Sequence, residues 1–166
     1  MSNVQIAKLL RNIAAAYTIK DEKKFRFQII AYQRAADFIK NSSIELQDYY
    51  KDDKLKSIPG IGTSIKGHLE ELFKTGKSMQ FNWALKGIPE PVFVLIDIPT
   101  FGPKKSYRLI KEFESNIKEL GFTFDFVLGI PKAGDPIADA VARRMRVPQL
   151  FMDKKLLKEP QGRLEV

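Results

Sequence analysis

Cysteine is absent from the 166 residues, and histidine occurs once, as His68. The first absence excludes disulfides and thiolate metal sites, and the second excludes a histidine-rich metal centre. No uninterrupted apolar run approaches the ~20 residues needed to span a bilayer, so no membrane partner is expected. The opening "MSNVQIAKLLRNIAAAY" interrupts its apolar residues with Lys8 and Arg11. It lacks a signal peptide's charged start and continuous apolar core, which makes the cytoplasm the expected compartment. What is present fits a globular chain of one ordinary domain or two small ones: 44% hydrophobic and 29% charged residues. The balance of charge is basic, +8 overall, and it is unevenly placed. Residues 1–112 hold 19 Lys and Arg against 12 Asp and Glu, whereas residues 113–166 hold 9 against 8. The first two-thirds could therefore face an acidic partner such as nucleic acid. Charge alone does not separate that from a basic, soluble surface.

The first part reads as helices. Ile6, Leu9, Leu10 and Ile13 fall at helical spacing, and Ala14 to Ala16 favour helix. Asp21 is a candidate N-cap for a second helix running to about Lys40, with Phe25, Ile29, Tyr32, Ala36 and Ile39 on its apolar face. A shorter helix is expected after Ser43, with Ile44 and Leu46 turned inward. From residue 121 the pattern changes. Phe122, Phe124, Phe126 and Leu128 alternate like a strand, "PIADAVARRM" reads as a helix with Ile137, Val141 and Met145 on one side, and "VPQLFM" reads as a second strand. The predicted fold class is thus mostly α: tandem helix–hairpin–helix over 1–113, then a small strand–helix–strand segment over 121–166 that favours parallel pairing. A helix beginning at Pro103 meets no breaker before Gly121.

Two stretches nearly repeat each other. "IPGIG" (58–62) is followed by Thr63, Ser64 and Ile65, and "IPTFG" (98–102) by Pro103, Lys104 and Lys105. In both, an apolar–Pro pair opens a turn, and glycine permits positive φ just before a helix starts. A helix start leaves backbone N–H groups unpaired and carries partial positive charge, so it suits an anion. Gly60, Gly62, Thr63, Ser64 and Lys66 in the first copy, and Gly102, Lys104 and Lys105 in the second, are candidates for holding DNA phosphates. Contacts of that kind ignore base sequence. A tight helix–helix turn with no ligand is the competing reading of one copy, and the repetition favours phosphate.

These motifs resemble the N-terminal region of family X DNA polymerases, which act in DNA repair. "IPGIGTSIKGHLEELFKTGK" resembles that family's first helix–hairpin–helix, "IPTFGPKKSYRLIKEF" its second, and "FRFQIIAYQRAADFI" a helix of its small N-terminal domain. The resemblance covers about residues 3–113. It implies an all-helical region that binds gapped or nicked duplex DNA, with Arg26, Tyr32 and Arg34 on the helix that forms a 5′-phosphate pocket. It also implies a monovalent cation, Na⁺ or K⁺, on hairpin carbonyls: those of Lys56, Ile58 and Ile61, and those of Ile96, Ile98 and Phe101. The departures bear on catalysis. Family members with deoxyribose-phosphate lyase activity use a lysine where His68 stands, and a neutral imidazole cannot form the Schiff base. The polymerase Gly-Ser motif and metal-binding carboxylates do not follow residue 113, so no catalytic residue is assigned. Thr100 takes the place of a usual glycine.

"FDFVLGIPKAGDPIADAVARRM" resembles the start of an orotate-type phosphoribosyltransferase, in which a glycine-containing loop binds pyrophosphate. The matching residues are Gly129, Lys132, Ala133 and Gly134, with Lys154, Lys155 and Lys158 in a segment like that family's mobile one. The family's acidic pair and Thr-Thr-Gly motif do not occur in these 166 residues. Three readings stay open: a sequence-independent DNA-binding module without catalysis, a piece of a phosphoribosyltransferase, or a fused chain with no complete active site. Unpaired edges on the C-terminal strands would offer a surface to an oligomeric partner.

Overall fold

The computed structural model describes residues 1–120, 127–129 and 134–151. It divides into two compact units, Met1–Ile88 and Pro89–Val166. This boundary differs from the one expected near residues 113–120. The reason lies in a short helix after residue 88, whose apolar side chains pack on helices of the C-terminal unit.

In the first unit, α1 (Asn3–Asp21) and α2 (Arg26–Asn41) pack along each other. A capping box starts α1: Ser2 Oγ accepts from Gln5 N–H, and the Gln5 side chain accepts from Ser2 N–H. Asp21 does not begin the second helix but ends the first. Its carboxylate accepts from Lys24 N–H at 2.9 Å, which shapes the turn and delays α2 to Arg26. The expected faces otherwise meet: Ile6, Leu10 and Ile13 face Ile29, Tyr32, Ala36 and Ile39 in a core whose small Ala14 and Ala35 bring the helices close. Each large aliphatic side chain removed from water there contributes about 1.5–3 kcal/mol.

A short helix, α3 (Leu46–Lys51), and a 3₁₀ turn at Leu55–Ser57 lead into the first hairpin, α4 (Thr63–Thr75) and α5 (Met79–Leu85). Leu46 is buried as expected, but Ile44 is 49% exposed. The contact between α1 and this segment is made instead by Asn3, a buried polar residue at the start of α1 that pattern reading passes over. Its Nδ2 donates to Ile44 O at 2.9 Å, and its Oδ1 accepts from Leu46 N at 2.7 Å, so its amide group is paired at both ends.

The second unit contains α6 (Pro91–Leu95), α7 (Pro103–Leu120), β1 (Val127–Gly129), α8 (Gly134–Met145) and β2 (Gln149–Phe151). The strands pair in parallel with Val127 opposite Gln149. Fully buried Val92 and Leu95 of α6 lie on the helix that packs against α7 and α8. The most buried side chains of α8 are Ala140, Ala142 and Ala138, while Ile137 and Val141 are half-buried. Small residues won those positions because they let α6 and β1 approach the helix. Residues 122–126 and 130–133, and with them Lys132 and Ala133, lie outside the described residues, as do Lys154, Lys155 and Lys158.

The second hairpin carries local strain. Thr100 has φ 76°, the left-handed region that a β-branched side chain disfavours. Thr100→Gly should therefore stabilise the C-terminal unit by about 0.5–1 kcal/mol, after allowing for glycine's greater freedom when unfolded. Thermal melting checks this, and a lower melting temperature in the variant would contradict it.

Candidate nucleic-acid interface

The two hairpins have the same backbone construction, forty residues apart. Ile58 N–H donates to Leu55 O at 3.3 Å and Ile98 N–H to Leu95 O at 3.1 Å. Ile61 N–H donates to Ile58 O at 3.0 Å and Phe101 N–H to Ile98 O at 3.1 Å. The first helical bonds then run from Lys66 N to Gly62 O and from Ser106 N to Gly102 O. Positive φ falls at equivalent points, 90° at Gly60 and 76° at Thr100.

Within the first hairpin the glycines have different jobs. A Cβ on Gly60 would stand 2.5 Å from Ala31 O and 2.8 Å from Ala35 N, both backbone atoms of α2. Gly60 is therefore the contact that lets the hairpin dock on α2. Gly62 is the opposite case. It is the N-cap of α4 in extended conformation, φ −83°, and a Cβ there meets nothing within 4 Å. Gly102 likewise faces open space.

The start of α4 is uncapped. Gly62 has no side chain to give, no acidic residue lies in the first turn, and the N–H groups of Thr63, Ser64 and Ile65 find no acceptor among the described residues. The first turn of α7 also lacks an acidic residue and instead carries Lys104 and Lys105, both exposed. Cations at a helix N-terminus oppose the helix dipole. Lys105 also lies 4.7 Å from the centre of the Phe101 ring.

Lys66 differs from expectation. Its ammonium is paired with Asp53 and, at 3.5 Å, with Glu70, and its side chain is only 17% exposed. The hydrogen bond that Lys66 donates to Asp53 raises the Lys66 pKa, and the same bond lowers that of Asp53. This lysine serves the fold around the hairpin, because α3's end brings Asp53 within reach of α4.

Arg26, Tyr32 and Arg34 do not converge. The two arginines are exposed on α2, separated by about 12 Å of helix rise. Tyr32 is buried to 2% and forms a 3.1 Å hydrogen bond with His68 Nδ1. Burial, with a smaller effect of Tyr17, pushes the Tyr32 phenol far above its usual range, so it stays neutral. Burial also lowers the His68 pKa, against an opposing pull from Glu71. The folded histidine thus resists protonation more than the unfolded chain does, whose ordinary value is 6.5. Stability of the N-terminal unit should fall as pH drops below about 6.5 towards the folded value. Urea midpoints at pH 8 and pH 5.5 test this, and His68→Gln should flatten the difference.

Beside the hairpin opens a cavity of about 690 Å³. Gly60, Gly62, Thr63 and Ser64 of the hairpin line it, together with an aromatic wall of Tyr17, Phe25, Tyr32 and Trp83. The wall is a set of touching rings: Tyr17 to Phe25 at 4.7 Å, Tyr17 to Tyr32 at 5.8 Å and Tyr17 to Trp83 at 6.2 Å between centres. Phe27, Gln28, Ala31, Ile65, His68 and Gln80 complete the lining. Of this lining, sequence reasoning singled out Gly60, Gly62, Thr63, Ser64, Tyr32 and His68 as site or motif residues, but not Tyr17, Phe27, Gln28, Gln80 or Trp83. The one available signal was Phe27, a large aromatic residue off the apolar face of its helix.

Residues 1–78 match the helix-hairpin-helix domain. The helix-hairpin-helix match thus takes in α1 to α4 and the whole first hairpin. The chain is also similar to the DNA polymerase/3′-5′ exonuclease PolX of Bacillus subtilis (strain 168), with 29% identity over 112 residues. That alignment covers 68% of this chain and 19% of the relative, so the chain spans about a fifth of the relative's length. Neither match supports the phosphoribosyltransferase resemblance. Among the described residues no cluster of three or more His, Asp or Glu could hold a metal ion, and no helix is long and apolar enough to cross a membrane.

Proposed function

We propose that this chain binds DNA by its sugar–phosphate backbone, without reading base sequence. The observation that carries the reading is the twice-built hairpin. Each copy ends in a helix start with no acidic residue in its first turn, reached through a glycine whose outer side is open. Backbone N–H groups of Thr63, Ser64 and Ile65 donate to a phosphate at the first site. Lys104 and Lys105 supply charge at the second. Similarity to a protein named as a DNA polymerase and exonuclease supports DNA as the partner, and gapped or nicked duplex is the form proposed.

Hairpin carbonyls extend the reading to a monovalent cation. Ile58 O and Ile98 O each accept one N–H bond and keep a second lone pair. With the carbonyls of Lys56 and Ile61, or of Ile96 and Phe101, they form a neutral oxygen set. Such a set suits Na⁺ or K⁺ better than a divalent ion, which draws carboxylates. When bound, the ion supplies positive charge that a phosphate oxygen can share. His68 offers no primary amine, so no Schiff-base step is assigned at its position.

Titration of a 5′-phosphorylated gapped duplex, followed by the single Trp83, tests the function. Affinity should fall linearly in log–log form with salt, by about 0.9 per phosphate neutralised, and should not change when the duplex sequence is permuted. No binding at low salt, or binding indifferent to salt, would remove the proposal.

A further inference from the structure

The cavity beside the first hairpin is built for something other than a bare phosphate. Among the described residues none of its lining side chains is charged. No ammonium group is among the lining: Lys20 lies 5.1 Å from the Trp83 ring centre, Lys24 5.4 Å from the Phe25 ring centre, and Lys66 is held by Asp53 and Glu70. A phosphate sunk among these rings would lose its water and find no cation in the lining. Flat, uncharged matter would gain. Phe27 is 82% exposed, and Trp83, though packed beside Tyr17 and Lys20, is still 47% exposed, so two large rings at the cavity present open surface. The polar groups that remain are neutral donors and acceptors. Gln80 Nε2 donates to the Tyr17 hydroxyl at 2.7 Å, leaving its carbonyl oxygen. His68 has Nδ1 engaged with Tyr32, leaving Nε2. The side chain of Gln28 offers both a donor and an acceptor. A volume of about 690 Å³ is ample for one nucleoside.

We propose that this cavity takes a single unpaired nucleobase, stacked on the aromatic wall, while the phosphate of the same nucleotide lies at the hairpin. The proposal rests on the backbone-binding reading above and adds a preference to it: DNA ends or gaps that carry one unpaired base are held more tightly than fully paired ones. A base meets the cavity's chemistry on each count. Its π-face matches Phe27 and Trp83, and its edge carries both donors and acceptors for Gln28, Gln80 and His68. It also brings its phosphate to Gly62, Thr63 and Ser64, which line the same space.

The test compares two gapped duplexes of equal length on the full chain. They are identical except that one carries a single unpaired 2-aminopurine at its phosphorylated 5′-end. The expected result is about 10-fold tighter binding of the unpaired form, within the range that stacking one base on aromatic side chains gives. Quenching of the 2-aminopurine fluorescence should accompany it. In Phe27→Ala, a truncation at an exposed position that packing does not need, the preference should shrink to less than about 2-fold. Equal binding of the two duplexes without quenching would overturn this inference and leave the backbone reading standing. Failure to bind either duplex would overturn both.

Discussion

Gly60→Ala should destabilise the N-terminal unit by about 3 kcal/mol or more. Two separate penalties act at this position. With φ at 90°, the backbone is in a region that costs a residue with a Cβ about 1–2 kcal/mol. The added carbon would also sit 2.5 Å from Ala31 O and 2.8 Å from Ala35 N. Those are main-chain atoms of α2, held by its helical hydrogen bonds, so neither can swing aside. The hairpin must then move away from α2, opening the core at Ile58 and Ile61, which are buried to 2% and 4%. Overpacking of this kind adds about 1–3 kcal/mol. For a unit of this size, 1 kcal/mol corresponds to about 4–8 °C in melting temperature, so the loss is plainly measurable by circular dichroism. A variant melting within about 2 °C of the parent would show that the hairpin does not dock as described.

Gly62→Val, two residues away, should do the reverse: leave the fold intact and weaken DNA binding by about 10-fold or more. No neighbour lies within 4 Å of its Cβ position, and φ is −83°, so a side chain can leave the backbone here into open space and without left-handed strain. What it does meet is the phosphate expected at the free N–H groups of α4. Losing charge-assisted hydrogen bonds to that phosphate is worth about 1.5–3 kcal/mol, which is where the 10-fold figure comes from. Because the block is steric, the deficit should persist at low salt. Lys105→Ala supplies the contrast, since removing one backbone-neutralising charge should lower the salt slope by about 1. Lys66 is a poor choice for that control, because its charge already belongs to Asp53 and Glu70. If Gly62→Val melts like the parent and binds gapped duplex equally well, the first hairpin is only a turn.

The sequence alone determined a good deal. Helical spacing of Ile6, Leu10, Ile13, Ile29, Tyr32, Ala36 and Ile39 located the first two helices, because a 3.6-residue period is visible without coordinates. The repeated apolar–Pro–x–x–Gly pattern located both hairpins and the helix starts after them, since glycine and proline restrict the backbone locally. Where reading along the chain went astray, a contact distant in sequence decided the outcome. Asn3 displaced Ile44 from the core by pairing with the start of α3. Val92 and Leu95 carried α6 and the second hairpin into the C-terminal unit by packing against residues beyond them in the chain. Asp53 took the Lys66 charge from thirteen residues away.

The division of labour between Gly60 and Gly62 was beyond the sequence for the same reason. Both look alike in "IPGIG", yet one faces α2 and the other open space, and only the approach of α2 tells them apart. The cavity follows the same logic. Tyr17, Phe25, Trp83 and Ser64 come from three helices and a turn, and no local pattern links them. Local sequence fixes backbone conformation through steric limits that act over a few residues. Which surface is buried, which charge is paired and which glycine stays open depend on neighbours brought in by the fold, and tertiary packing alone decided those.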